Sequence, residues 1–205
     1  EETGETYLSI LRPAMAQIKL EWKQKNDHSK LKGTAFHNWK EDGLFKEGVY
    51  TFQNNEIKVI NEAVIDLCNL MAGMYPELRL WNKPNLIAGT SDQIIILPGK
   101  QVIVRDFKSN IEFTMDNKWQ NMLHPVSHLQ DCHFNHYALQ LSLYAWMLEQ
   151  FGYTPIFLEI EHYDMDWLGG ENFEIRKQTN YELPYLKKEI EDMIRYANLQ
   201  KNLSI

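Results

Sequence analysis

Between Leu86 and Lys108 the chain spells out a β-hairpin. Two runs rich in Ile and Val, residues 86–97 and 101–108, meet at Pro98-Gly99-Lys100. β-branched residues suit a pleated surface, and Pro-Gly punctuation marks the turn. Because strand side chains alternate, Val102, Val104, Asp106 and Lys108 share one face, while Ile103, Arg105 and Phe107 take the other. If Pro98-Gly99-Lys100 is a three-residue loop, Leu97 pairs with Gln101, and that register sets Asp92 opposite Asp106. Directly opposed side chains have Cβ atoms ~5 Å apart, and like charges there are destabilising. A divalent cation between the two acids removes the conflict. Gly89, three residues before Asp92, marks a place where backbone or ligand approaches closely.

Around this hairpin the periodicity predicts the remaining elements. Residues 6–24 read as a helix, with Leu8, Leu11, Met15, Ile18 and Trp22 at 3–4 spacing. A polar break over 27–32 follows, and Gly33-Thr34 opens a second helical segment carrying His37 and Glu41. Residues 55–73 read as a long amphipathic helix with Ile57, Ile60, Val64, Leu67 and Met71 on one side and Gly73 as its C-cap. Residues 77–81 form a strand ahead of the hairpin, and 109–134 are loop-rich. Asn135 is a candidate N-cap for an apolar helix over 137–151, stopped by Gly152 and Pro155. Strands are expected at 156–163 and 173–177, with a last helix over 184–199. Helices, a meander of strands, a crossover helix and further strands make a mixed α/β domain. The 205 residues suit one cored unit, with residues 1–30 as a helical extension.

Composition narrows the setting. No stretch approaches the ~20 apolar residues that cross a bilayer, so no membrane association is expected. Glu1-Glu2-Thr3-Gly4-Glu5 has neither the basic nor the apolar region of a secretory signal. Cys68 and Cys132 make no disulfide framework, so a reducing, cytoplasmic setting is expected. The net charge of −7 argues against a broad basic surface, although an acidic metal site and a locally basic groove are compatible with it.

Two helices supply further candidates. His37 can ligate Mn²⁺, or Mg²⁺ where carboxylates dominate. Gln140 and Tyr144 lie four apart on one face of the apolar helix, among Leu139, Leu141, Leu143, Ala145 and Trp146. A buried amide without partners costs ~1–3 kcal/mol, so Gln140 must find a hydrogen bond.

In order, Gly33/His37, Gly89/Asp92, Asp106/Lys108 and Gln140/Tyr144 resemble the PD-(D/E)XK nuclease superfamily, RecB-like exonuclease branch, over about residues 30–150. The resemblance implies a restriction-endonuclease-like α/β core, a mixed central sheet flanked by helices. It implies a deoxyribonuclease that uses Mg²⁺ or Mn²⁺ to hydrolyse phosphodiester bonds, an exonuclease in DNA processing, recombination or repair. His37, Asp92, Asp106 and the main-chain carbonyl of Phe107 would ligate the metal. Lys108 would orient the attacking water and offset charge on the phosphate, and Gln140 and Tyr144 would shape the site. Glu77 and Glu41 are second-tier candidates. The implied partner is single- or double-stranded DNA, with a helicase or recombination protein compatible. Two cysteines cannot supply the four-cysteine iron–sulfur cluster that some relatives carry.

Two other readings stand beside this one. A nuclease-fold module that binds nucleic acid or protein without cutting fits the acidic charge. A structural zinc could use His124, His128, Cys132, His133 and His136, although their spacing matches no defensible zinc motif. Trp119, in the same loop, is a candidate for base stacking or for packing.

Overall fold

A computed structural model describes residues 3–61 and 65–203, with side chains described over 11–61 and 65–201. The first element is one helix, α1, running unbroken over Thr3–Glu47. The expected break at 27–32 does not occur. Gly33 costs a helix only ~1 kcal/mol relative to Ala, and a helix already propagating on both sides absorbs that. Residues 12–31 are solvent-exposed throughout, and burial begins near Phe36, which is fully enclosed.

The helix expected over 55–73 is also absent. Val49–Phe52 (β1) and Asn55–Lys58 (β2) instead form a small antiparallel hairpin. Its loop residues Gln53 and Asn54 both take positive φ, 47° and 65°, which a two-residue hairpin loop favours and an α-helix forbids. The chain then leaves regular structure: Asp66 caps a turn by accepting from the Cys68 N–H at 3.0 Å. Val64, one of the expected apolar positions, lies outside the described residues. Gly73 caps no helix. It starts β3, where a Cβ would sit 2.5 Å from Ile60 Cγ1, so the close approach of Ile60 requires glycine.

The main sheet has five strands in the order β3-β4-β5-β6-β7. These are Gly73–Asn82, Ile87–Leu97, Gln101–Lys108, Thr154–Gly169 and Asn172–Glu182. The hairpin forms with the expected register, Leu97 on Gln101 and onward to Gln93 on Arg105. β6 and β7 run longer than expected and form an antiparallel pair. β5 and β6 are parallel, with α2 (His133–Glu149) as the crossover between them. Cys132, not Asn135, is the N-cap of α2; the Asn135 amide instead donates to the Gln130 carbonyl at 2.9 Å. The last helix, α3, covers Lys187–Leu203.

Alternation along the strands divides the core. Ile94, Ile96, Val102, Val104, Leu158 and Ile160 face α2, with Ile190 of α3 joining them. On the opposite face Met74, Ile95 and Ile103 pack against Leu44 of α1 and the β1–β2 hairpin. Phe36 of α1 packs with Phe107, Tyr163 and Met165 further along the same face. The result is an α/β fold: a mixed five-stranded central sheet flanked by helices. No described helix is long and apolar enough to cross a membrane.

Candidate metal centre

Pairing of β3 with β4 puts Pro76 on Gln93 and Leu78 on Ser91, which places Glu77 opposite Asp92. Pairing of β4 with β5 ends at Gln93 on Arg105, and one step further lies Asp92 opposite Asp106. Three carboxylates therefore stand in line across three neighbouring strands. Glu77 has a positive φ of 47°, a conformation costing a non-glycine residue roughly 1–2 kcal/mol.

Burial and hydrogen bonding set each acid differently. Asp92 is 6% exposed; its Oδ2 accepts the Phe107 main-chain N–H at 2.7 Å, tying β4 to β5 beyond the end of their ladder. Its Oδ1 lies 3.1 Å from His37 Nδ1, and the same nitrogen is 3.8 Å from Glu77 Oε1. Burial works against an imidazolium at His37, but the hydrogen bonds to Asp92 and Glu77 outweigh it and hold its pKa up at about 10. Asp106 is ion-paired with Lys108, and its Oδ2 is buried without a hydrogen bond of ordinary geometry. Burial first, and the neighbouring Asp92 charge second, push the Asp106 carboxyl up to about 6. Lys108 is also raised: desolvation opposes its charge, but the Asp106 carboxylate prevails. The Lys108 ammonium lies 4.9 Å from the centre of the Tyr137 ring.

His37, Glu77 and Asp92 offer ligand atoms within 4.8 Å of one another. Two carboxylates and one imidazole are hard-to-borderline donors that could hold a divalent cation. Asp106, next in the row, holds the Lys108 ammonium through its Oδ2. Glu77 thus joins the close group, while Asp106 sits beside it, engaged by Lys108. Phe107 enters through its N–H, and its ring packs with Phe36 and Tyr163. Glu41 lies outside the close group, its carboxyl raised by burial and then by the field of Glu77.

The two remaining motif pieces touch each other. A Cβ on Gly89 would sit 2.7 Å from Tyr144 Cε1, so the tyrosine ring lies directly on the glycine backbone. Tyr144 OH in turn accepts from Gln140 Nε2 at 3.2 Å, which satisfies the half-buried amide. Burial raises the Tyr144 phenol, and Asp106, Lys108 and Asp92 all act on it electrostatically. Gln140 is thus held to Tyr144.

The residues from His124 to His136 do not converge. His128 bonds Glu189, His133 bonds Thr114, His136 bonds Asp131, the His124 ring packs on Tyr196, and buried Cys132 points at the Met115 carbonyl. Trp119 is 96% exposed, its ring standing in solvent. A cleft of about 860 Å³ is lined by His37, Lys108 and Tyr137 together with Lys32, Trp167 and Arg176. Sequence reasoning missed Tyr137, whose signal was its place one turn before Gln140, and Arg176, held by Asp164 and Asp166. The chain matches no protein-family model and no curated protein.

Proposed function

We propose that this protein is a divalent-metal-dependent nuclease with a restriction-endonuclease-like core, hydrolysing DNA phosphodiester bonds and acting as an exonuclease. What supports the reading above all is the row of Glu77, Asp92 and Asp106 across three neighbouring strands, with His37 against Asp92 and Glu77 and Lys108 against Asp106. His37, Glu77, Asp92 and Asp106 would hold Mg²⁺ or Mn²⁺. Such an ion supplies charge for the phosphate and acidifies a water. The imidazolium of His37 and the ammonium of Lys108 offset the carboxylates, so His37 would have to give up its proton to ligate an ion.

The side chains then divide the work. Asp92, fixed by the Phe107 N–H, and Asp106, fixed by burial, set the spacing of the oxygen donors. Lys108 has its ammonium at the cleft, where it orients a water and opposes charge building on the phosphate. Tyr144, wedged on Gly89 and bonded to Gln140, braces the wall behind Asp92. Digestion of linear DNA with Mn²⁺ tests the reading. Asp106→Ala and Lys108→Ala are each expected to abolish cutting, and full activity in both refutes it. A non-cutting binding module predicts instead that wild-type protein binds DNA and leaves it intact at every metal concentration.

A further inference from the structure

The chain is acidic overall, at −7, yet residues 12–31 of α1 carry five cations against two acids, Glu21 and Asp27. Arg12, Lys19, Lys23 and Lys30 are spaced seven, four and seven residues apart, and seven more residues lead to His37. At ~100° per residue these five positions fall within roughly 40° of one another on the helix. Glu21 lies on the far side of the helix, and Asp27 flanks the stripe at roughly 60° from its centre. The four cations are exposed, and α1 is continuous from them to the site. From Arg12 to His37 the stripe runs about 38 Å at ~1.5 Å per residue. Trp22, 69% exposed, stands on the flank away from Asp27, roughly 80° from the stripe's centre, where a base can stack.

We propose that this stripe is a nucleic-acid-binding arm, which holds the phosphate backbone of a strand and leads it along α1 to the acids around His37. The inference rests on the nuclease reading and deepens it by assigning the surface that takes the substrate. Charge complementarity argues for this occupant. A line of like charges along one face of a rod matches a linear polyanion, and the same face ends at the phosphodiester-cutting centre. An amphipathic helix lying on anionic lipid is the competing occupant, and the experiment separates them.

Lys19→Gln/Lys23→Gln/Lys30→Gln, built on Asp106→Ala to prevent cutting, is titrated by fluorescence anisotropy with a thirty-nucleotide single strand. Circular dichroism confirms the fold. Each phosphate contact contributes a slope of about −0.7 in log K against log salt for single strands. The variant is therefore expected to show a slope shallower by about 2 and at least a tenfold loss of affinity at low salt. Lys58→Gln/Lys83→Gln/Lys118→Gln, with the same charge change off the stripe, is expected to retain most of the binding. Equal losses in the two triple variants, or no loss in the first, overturn the proposal. So does loss of binding to phosphatidylserine vesicles with oligonucleotide affinity unchanged. Hydrolysis of bis-p-nitrophenyl phosphate by wild-type protein with Mn²⁺ tests the nuclease reading separately, because that ester is too short to reach the arm. If it is not hydrolysed while the stripe effect persists, the arm stands and the nuclease reading fails.

Discussion

Gly89→Ala tests whether the two motif halves are one packed unit. The added methyl would sit 2.7 Å from Tyr144 Cε1, where ordinary contacts begin at 3.4 Å, so either the ring or β4 must move by several tenths of an ångström. Neither moves freely. The ring is 9% exposed within the main core, and β4 is paired to β3 at Gly89 itself, through Leu80. Overpacking of this kind costs ~1–3 kcal/mol. Against it, alanine restricts the unfolded chain and recovers ~0.5–1 kcal/mol. Urea unfolding is therefore expected to show a net loss of about 1–2 kcal/mol. The decisive comparison is a cycle with Tyr144→Leu. Once the ring is gone, the new methyl occupies space the tyrosine filled, so the double variant should be about 1 kcal/mol more stable than the summed single effects. Additivity within ~0.5 kcal/mol would refute the claim that Gly89 exists to seat Tyr144.

Other consequences follow from the same geometry. His37 titrates near 10 in the folded protein and near 6.5 unfolded, so its contribution to stability is complete below pH 6.5 and vanishes as the pH rises through about 10. The stability difference between wild type and His37→Gln, from urea midpoints without metal, should therefore shrink steadily between pH 7 and 10; a constant difference would show that His37 is not held as an imidazolium. Arg105 is buried between Glu159 and Glu161, with Gln93 on its third edge. Arg105→Met leaves two buried carboxylates and is expected to cost ~3–5 kcal/mol in urea unfolding, and a loss under ~1 kcal/mol would contradict that account.

What could be read from the sequence was local. The hairpin announces itself through adjacent Ile and Val runs and its Pro-Gly turn, so its register, and with it the placing of Asp92 opposite Asp106, follows from counting. The motif pieces on α1 and α2 were legible for the same reason, being sets of residues within one or two turns. The failures lay where local signals misled. Ile57, Ile60 and Leu67 keep a helical spacing, but each is placed by contacts distant in sequence, and Asn54 at the tip of a two-residue loop carried the opposing signal. The polar run over 27–32 contains no proline, so nothing there had to end α1. Glu77, a second-tier candidate from the sequence, joins His37 and Asp92 through the β3–β4 register, a pairing that no single segment encodes. Tyr137 faces Lys108 because α2 packs on β5, which is also a tertiary fact.

The central claim is that the acids at the edge of the hairpin converge on a divalent cation. Anomalous diffraction from crystals soaked in Mn²⁺ measures this without reference to any substrate. The account predicts one strong peak among His37, Glu77, Asp92 and Asp106, within ~2.0–2.3 Å of their ligand atoms, that disappears in Asp92→Asn. No peak there at saturating Mn²⁺, or a peak among the histidines of residues 124–136 instead, would contradict it.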